Sequence, residues 1–265
     1  MSTHEPIADR DGSPAPEGAG TPSRSAAVSA EEAESAQERG WRVRDLLAIG
    51  GACLLILLLV NAFVAQPFVV PSASMENVLR PGDRLVVNKL AYDFGGRVQR
   101  GDVVVFDGTG SFVPEDGEPT GTWPDLHKFG AALGLAPSDG SIFVKRVIAV
   151  GGDRVTYHVG DQRLTVNGVP LAESDYLFPG DAPSAVGFDI VVPPGELWMM
   201  GDHRSDSSDS RDHLGDPGGG FVPEDKVIGR ADWVVFPVGR WTHLKRPAGF
   251  AAVSAGGNGG HGNPG

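Results

Sequence analysis

Cysteine is almost missing from this 265-residue chain: Cys53 is the single one and lies inside an apolar run, so no intramolecular disulfide and no cysteine metal site can form. No block of clustered Lys and Arg appears either. With a net charge of −12 the chain lacks the basic patch that phosphate contacts require, which argues against a nucleic-acid partner. Internal repeats are absent. The first forty or so residues have almost no large apolar side chains and are rich in Pro, Gly, Ser, Ala and Glu. Such a stretch cannot bury enough surface to offset the entropy of ordering, so residues 1–45 read as a disordered tail.

What the chain does have begins at Leu46. The twenty residues "LLAIGGACLLILLLVNAFVA", 46–65, carry no charge and match the hydrocarbon thickness of a bilayer at a helical rise of about 1.5 Å per residue. Arg39, Arg42 and Arg44 precede the run, whereas Arg80 is the first basic residue after it. The positive-inside rule then puts the tail in the cytoplasm and everything after Ala65 outside. A cleaved leader fits less well, because its n-region would be very long and a cut after Ala65 would put Phe63 where a small residue is needed.

Beyond the anchor, "DRLVVNKLAY", "GDVVVFDG", "IFVKRVIAV", "DRVTYHV", "QRLTVNGVPL", "FDIVVPPGELWMMG" and "KVIGRADWVVFP" are short Val-, Ile-, Phe- and Tyr-rich runs with Gly, Pro and Asp between them. The expectation is a mainly β protein: one antiparallel β-sheet domain over 66–248 behind one N-terminal transmembrane helix. Residues 107–141 are Pro- and Gly-rich and read as an insertion with a short helix around "LHKFGAALGL". Residues 249–265 end in low-complexity sequence and read as a flexible tail.

Three clusters could carry chemistry. In "PSASMENVL", Ser72 and Ser74 point to one face if the extended backbone favoured before Pro71 continues. Ser74 stands nine residues past Ala65, within about 30 Å of the membrane boundary even fully extended. The pair reads either as a nucleophile with a hydroxyl donor beside it or as an ordinary Ser-rich turn. In "SIFVKRVIAVGGD", Lys145 and Arg146 interrupt an apolar strand, and strict alternation turns one of the two charges inward. A buried lysine loses pKa, and a neutral amine near pH 7 to 8 is a competent general base for a serine hydroxyl. An edge strand with both cations reaching to water is the plain alternative.

The third cluster, "MGDHRSDSSDSRDHLG", is dense in Asp, Ser, Arg and His. Asp202, Asp206, Asp209 and Asp212 do not follow the ligand spacing of an EF-hand loop. A Ser/Asp/Arg loop can instead hold a catalytic lysine by hydrogen bonds and a salt bridge. His203 or His213 with Asp202 or Asp209 would offer a Ser/His/Asp triad, and an acidic loop that only binds a partner is the non-enzymatic reading.

The anchor, "PSASM", "RGDVVVF", "FVKRVIAVGGD" and "MGDHRSDSSDSR", in this order over roughly 46–237, resemble the bacterial type I signal peptidases in an actinobacterial-like form. The resemblance implies a serine endopeptidase with no metal and no organic cofactor, acting on signal-peptide-bearing preproteins at small-x-small sites, at the membrane and near the secretion machinery. It implies Ser74 as nucleophile, Lys145 as general base, and Ser72 as an oxyanion donor beside the Ser74 N–H. Ser207 would orient the amine, Asp209, Arg211 and Arg146 would brace the loops, and Met75 would help bind substrate. Asp102 would be structural. This sequence departs from the family pattern at Asn77-Val78, where Pro-Thr is usual, at Ala149 and Gly151, and at His203, where Asn is common. These departures bear on substrate preference.

Overall fold

The structure is a computed structural model that describes residues 24–114 and 141–256. The expected helix around "LHKFGAALGL" lies outside the described residues. The chain divides into two compact units, Met1–Leu54 and Leu55–Gly265. Helix α1, Arg24–Phe63, begins well before the expected anchor. Its segment Val43–Phe63 is long and apolar enough to cross a membrane and buries nothing within the protein. Leu46, Leu47, Ile49 and Leu54–Leu57 are all exposed, as a lipid-facing surface would be. The helix stops two residues before Ala65, because Pro67 has no N–H to give and drives Gln66 to extended backbone.

Ala65–Val69 is therefore the first strand, β1, and not helix end. The strands after it are β2 (Arg84–Asn88), β3 (Val103–Asp107), β4 (Ile142–Val150), β5 (Arg154–Tyr157), β6 (Thr165–Val166), β7 (Val169–Pro170), β8 (Phe188–Val191), β9 (Glu196–Met200), β10 (Val222–Pro223), β11 (Val227–Phe236) and β12 (Thr242–His243). Each of the seven strand-like runs contains at least one of them. Among the described residues the larger sheet runs β1-β2-β11-β3-β4-β9-β10, with β12 on β11, and a smaller one runs β7-β6-β5-β8. Every pairing of named strands is antiparallel. "QRLTVNGVPL" is one hairpin, β6 to β7, in which Asn167 and Gly168 have φ of 52° and 79°, the left-handed pair of a two-residue type I′ turn.

Three apolar clusters hold this together. One joins the smaller sheet to β9 through Val155, Tyr157, Val166, Phe188 and Trp198. A second lies under the loop between β1 and β2, with Val70, Met75, Leu79, Leu85 and Val87. The third packs Phe106, Phe112, Val147, Leu197 and Met199, with Phe106, Phe112 and Phe143 in mutual ring contact.

Residues 249–256, read as part of a flexible tail, form helix α2 (Gly249–Gly256). Its Phe250 and Val253 are buried in the first cluster, which is what orders it. The Phe250 ring comes so close to Gly101 (φ +88°) that a Cβ there would stand 2.8 Å from it. Arg246 pairs with Asp102, which also accepts from Tyr92 Oη and the Gln99 N–H. Asp102 is thus a structural anchor point, as the family resemblance implied.

Candidate active site

Ser74 sits in the loop between β1 and β2, 8% exposed. Its carbonyl accepts the His203 N–H at 3.1 Å, and Ser72 Oγ lies 3.2 Å from Ser74 Oγ as donor. The loop therefore presents both hydroxyls together, but through a bend and turn over 72–78 and not through the extended backbone that the expectation assumed. Met75 next to them is 1% exposed and packs on Leu79 and Leu85 in the second cluster. Burial this complete leaves Met75 little surface to offer a substrate, in contrast to the expected substrate-binding role; it packs in the core under the serine loop.

Lys145 is in the middle of β4, between β3 and β9, with Val104 opposite. This is an interior strand, and the expectation that only one of its two cations turns inward is not met: Lys145 is 3% and Arg146 2% exposed. Both are buried because β4 is covered on both faces, and each finds its own partners. Arg146 makes a two-pronged ion pair with Asp202, Nε–Oδ1 2.7 Å and Nη2–Oδ2 2.6 Å, donates to the Gly101 carbonyl, and lies over the Tyr176 ring at 4.4 Å. Buried fork-to-fork pairing of this kind keeps a guanidinium charged away from water.

Among the described residues no carboxylate is hydrogen-bonded to Lys145. Its Nζ donates to Ser207 Oγ at 3.0 Å, and Ser207 Oγ donates onward to Asp209 Oδ2 at 2.8 Å. Burial lowers the lysine pKa to about 8; the Asp209 charge opposes that shift and the Arg211 charge adds to it. Burial also pushes the Asp209 carboxyl up, but the hydrogen bonds and charge of Arg211, the Gly201 N–H and the Lys145 charge outweigh it and hold it below its usual range. Arg211 grips Asp209 at 2.8 Å through both Nε and Nη2 and reaches the Arg204 carbonyl. Because the Ser207 O–H is donated to Asp209, Ser207 can only accept from the amine. A neutral Lys145 then spends one N–H there and keeps its lone pair free.

Gly201, directly after β9, is where the two halves meet. A Cβ built there would stand 2.2 Å from Ser207 Oγ and 2.5 Å from the Ser74 carbonyl. The serine loop and the Ser207 loop thus pack through a site only glycine fills. Sequence reasoning missed this residue, although a lone glycine closing an apolar strand was its signal. It also missed Arg204, which donates to the Gly201 and Pro183 carbonyls and pairs with Glu173, whose carboxylate also accepts from Tyr176 Oη. Glu173 and Tyr176 lie in a loop whose sequence gives no sign of them.

The triad alternative does not assemble. Asp202 is committed to Arg146, and Asp209 to Arg211, Ser207 and Gly201. His203 stacks on Phe178 with ring centroids 3.9 Å apart and its buried Nδ1 is unpartnered, while His213 stacks on Phe112 and pairs with Asp216. Neither imidazole is hydrogen-bonded to Ser74. Among the described residues no cluster of His, Cys, Asp and Glu has the makings of a metal site.

Comparison with known proteins puts this chain among the serine endopeptidases. It belongs to the family described as signal peptidase, peptidase S26, whose model matches residues 43–236. The signal peptidase I of Mycobacterium tuberculosis is 38% identical over 241 residues, covering 82% of this chain and 80% of that protein. The probable signal peptidase I of Mycobacterium leprae is 38% identical over 230 residues, covering 76% and 78%. A crystal structure of a signal peptidase I from Enterococcus faecalis superposes with a TM-score of 0.32 at 22% identity, covering 51% of this chain and 96% of that one.

Proposed function

We propose that this protein is a membrane-anchored signal peptidase that cuts preproteins through an acyl-enzyme on Ser74, with Lys145 as its general base. The observation that carries this reading is the buried, singly hydrogen-bonded Lys145 amine with its pKa lowered to about 8, held by a serine that packs against the Ser74 backbone at Gly201.

In this mechanism the neutral amine takes the Ser74 Oγ proton as Oγ attacks the scissile carbonyl. The oxyanion takes hydrogen bonds from the Ser74 N–H and from Ser72, whose hydroxyl already lies beside the attacking oxygen. The protonated lysine gives its proton to the leaving amine, and the mature protein departs. Lys145, neutral again, draws a proton from water as the water oxygen attacks the Ser74 ester, then returns that proton to Ser74 Oγ as the Oγ–carbon bond breaks and the signal peptide leaves with its new carboxylate. Ser207 and Asp209 keep the amine aimed; Arg211 and Arg146 hold the loops by their buried ion pairs; Met75 forms the floor beneath the serines.

The family and the apolar segment together support a membrane anchor, with Arg39, Arg42 and Arg44 around its N-terminal end on the cytoplasmic side and the catalytic domain outside. Substrates would be signal-peptide-bearing preproteins, met at the lipid surface close to the secretion machinery. Small-x-small residues before the cut suit shallow pockets that select by excluding bulk. The test is incubation of the detergent-solubilised full chain with a preprotein bearing an Ala-x-Ala site, then N-terminal sequencing of the product. A new N-terminus directly after the second alanine supports the proposal. An uncut substrate, or a cut elsewhere that persists in Ser74→Ala, overturns it.

A further inference from the structure

The loop that carries Ser72 and Ser74 is closed at its base by backbone bonds, Val70 N–H to the Asp83 carbonyl and Gly82 N–H to the Val70 carbonyl, both 2.9 Å. At that closure stands Asp83, a buried carboxylate that accepts the Arg80 N–H at 2.9 Å. Arg240 arrives from a distant part of the chain, 157 positions on, in a single 3-10 turn after β11. Its Nε lies 2.9 Å from Asp83 Oδ1 and its Nη2 2.9 Å from Asp83 Oδ2. The same Nη2 also donates to the Val78 carbonyl at 3.1 Å.

One planar guanidinium thus ties the foot of the loop, at Asp83, to its middle, at Val78, four residues after Ser74. Val78 is one of the positions where this sequence departs from the pattern that the family resemblance implied, and Arg240 lies beyond the family match, which ends at residue 236. The turn that holds Arg240 follows a strand paired to β2 through Val234↔Leu85 and Phe236↔Arg84, so the clamp is mounted on the sheet from which the loop springs.

From this geometry we propose that Arg240 is a positioning residue for the reaction: it fixes the serine loop so that Ser74 Oγ meets both the substrate carbonyl and the Lys145 amine. The proposal rests on the reading of Ser74 as nucleophile. Arg240 touches neither substrate nor reacting atoms and acts only through the loop. A displacement of about 1 Å at a reacting atom can lower a rate on the order of a hundredfold without weakening substrate binding. Lysine, with a single ammonium, cannot span both Asp83 and Val78 as the fork does.

The experiment compares wild type, Arg240→Ala, Arg240→Lys, the charge-balanced pair Asp83→Asn with Arg240→Gln, and Ser74→Ala, all as full chains in detergent with an Ala-x-Ala preprotein. Arg240→Ala is expected to lose kcat by about 10- to 100-fold, with KM moved less than about threefold and the acidic limb of the pH profile in place. Millimolar guanidinium should restore much of that rate in Arg240→Ala and none in Ser74→Ala. A protein that was merely destabilised would gain nothing from guanidinium at that concentration. Arg240→Lys should lie between wild type and alanine. If Arg240→Ala does not fold, full kcat in either Arg240→Lys or the charge-balanced pair overturns the proposal. Wild-type kcat in folded Arg240→Ala, or a loss that guanidinium does not relieve, overturns it while leaving a dead Ser74→Ala and the nucleophile reading intact. Cleavage by Ser74→Ala removes the nucleophile reading and the Arg240 proposal together.

Discussion

Ser207 Oγ stands 3.0 Å from the Lys145 amine and donates its own hydrogen bond to Asp209. The hydroxyl is therefore an acceptor toward the lysine and directs one N–H away from the space where Ser74 must hand over its proton. Ser207→Ala should leave the protein folded but lower kcat by about 10- to 100-fold, because the base then rotates freely. Steady-state kinetics on a preprotein tests this; unchanged kcat would mean the amine is aimed by something else.

Lys145 should govern the pH dependence. Activity needs the neutral amine, so the rate should climb with pH through a midpoint near 8. Lys145→Met and Lys145→Arg should both be inactive, the first lacking an amine and the second holding a charge it cannot lose. His203→Ala and His213→Ala should retain the same acidic limb. A dead histidine variant beside an active Lys145→Met would return the triad to favour.

The same lysine sets a stability trend of known sign. Its folded pKa of about 8 is below the ordinary 10.5, so between those values the unfolded chain binds more protons and wild-type stability rises with pH. Below about 8 the full cost of the buried charge is present. Lys145→Met should lack that slope and, at pH 7, be more stable than wild type by about 1 to 3 kcal/mol although catalytically dead. Chemical denaturation at pH 7 and pH 10 measures both; a variant less stable than wild type at pH 7 would show that the hydrogen bond to Ser207 outweighs burial.

Gly201→Ala should separate site geometry from fold. Its Cβ would meet Ser207 Oγ at 2.2 Å and the Ser74 carbonyl at 2.5 Å, distances that force both loops apart. Cleavage should fall at least about a hundredfold, with far-ultraviolet circular dichroism unchanged. Near-normal turnover would mean the two loops can separate without harm to the chemistry.

Phe250→Ala tests the C-terminal helix. The ring is buried against Gly101 and stacks on Tyr176, centroids 5.9 Å apart. Its loss should cost about 3 to 5 kcal/mol, as for other buried phenylalanines. A Tm within a degree or two of wild type would mean the helix is dispensable.

Local pattern alone determined much of this protein. An uncharged twenty-residue run and short β-rich segments depend on near neighbours and on period, so the apolar helix and the run of strands were legible, whereas "QRLTVNGVPL", read as one strand, is split by its Asn-Gly turn into the β6–β7 hairpin. Lys145 in an apolar strand followed from the Val- and Ile-rich run around it, whereas Ser72 and Ser74 meet through a turn and not through the extended backbone expected after Pro71. Tertiary packing decided the rest. Both Lys145 and Arg146 are buried because a distant loop supplies Ser207 to one and Asp202 to the other, partners 62 and 56 positions away. The last helix is ordered because Phe250 finds a core that its own glycine-rich surroundings do not announce. The grip of Arg240 on Asp83 joins residues 157 apart. Sequence periodicity reports which face a side chain takes on its own element; which group waits opposite is set only when non-adjacent segments close on one another, and there the pKa of the lysine and the placement of the serine are decided.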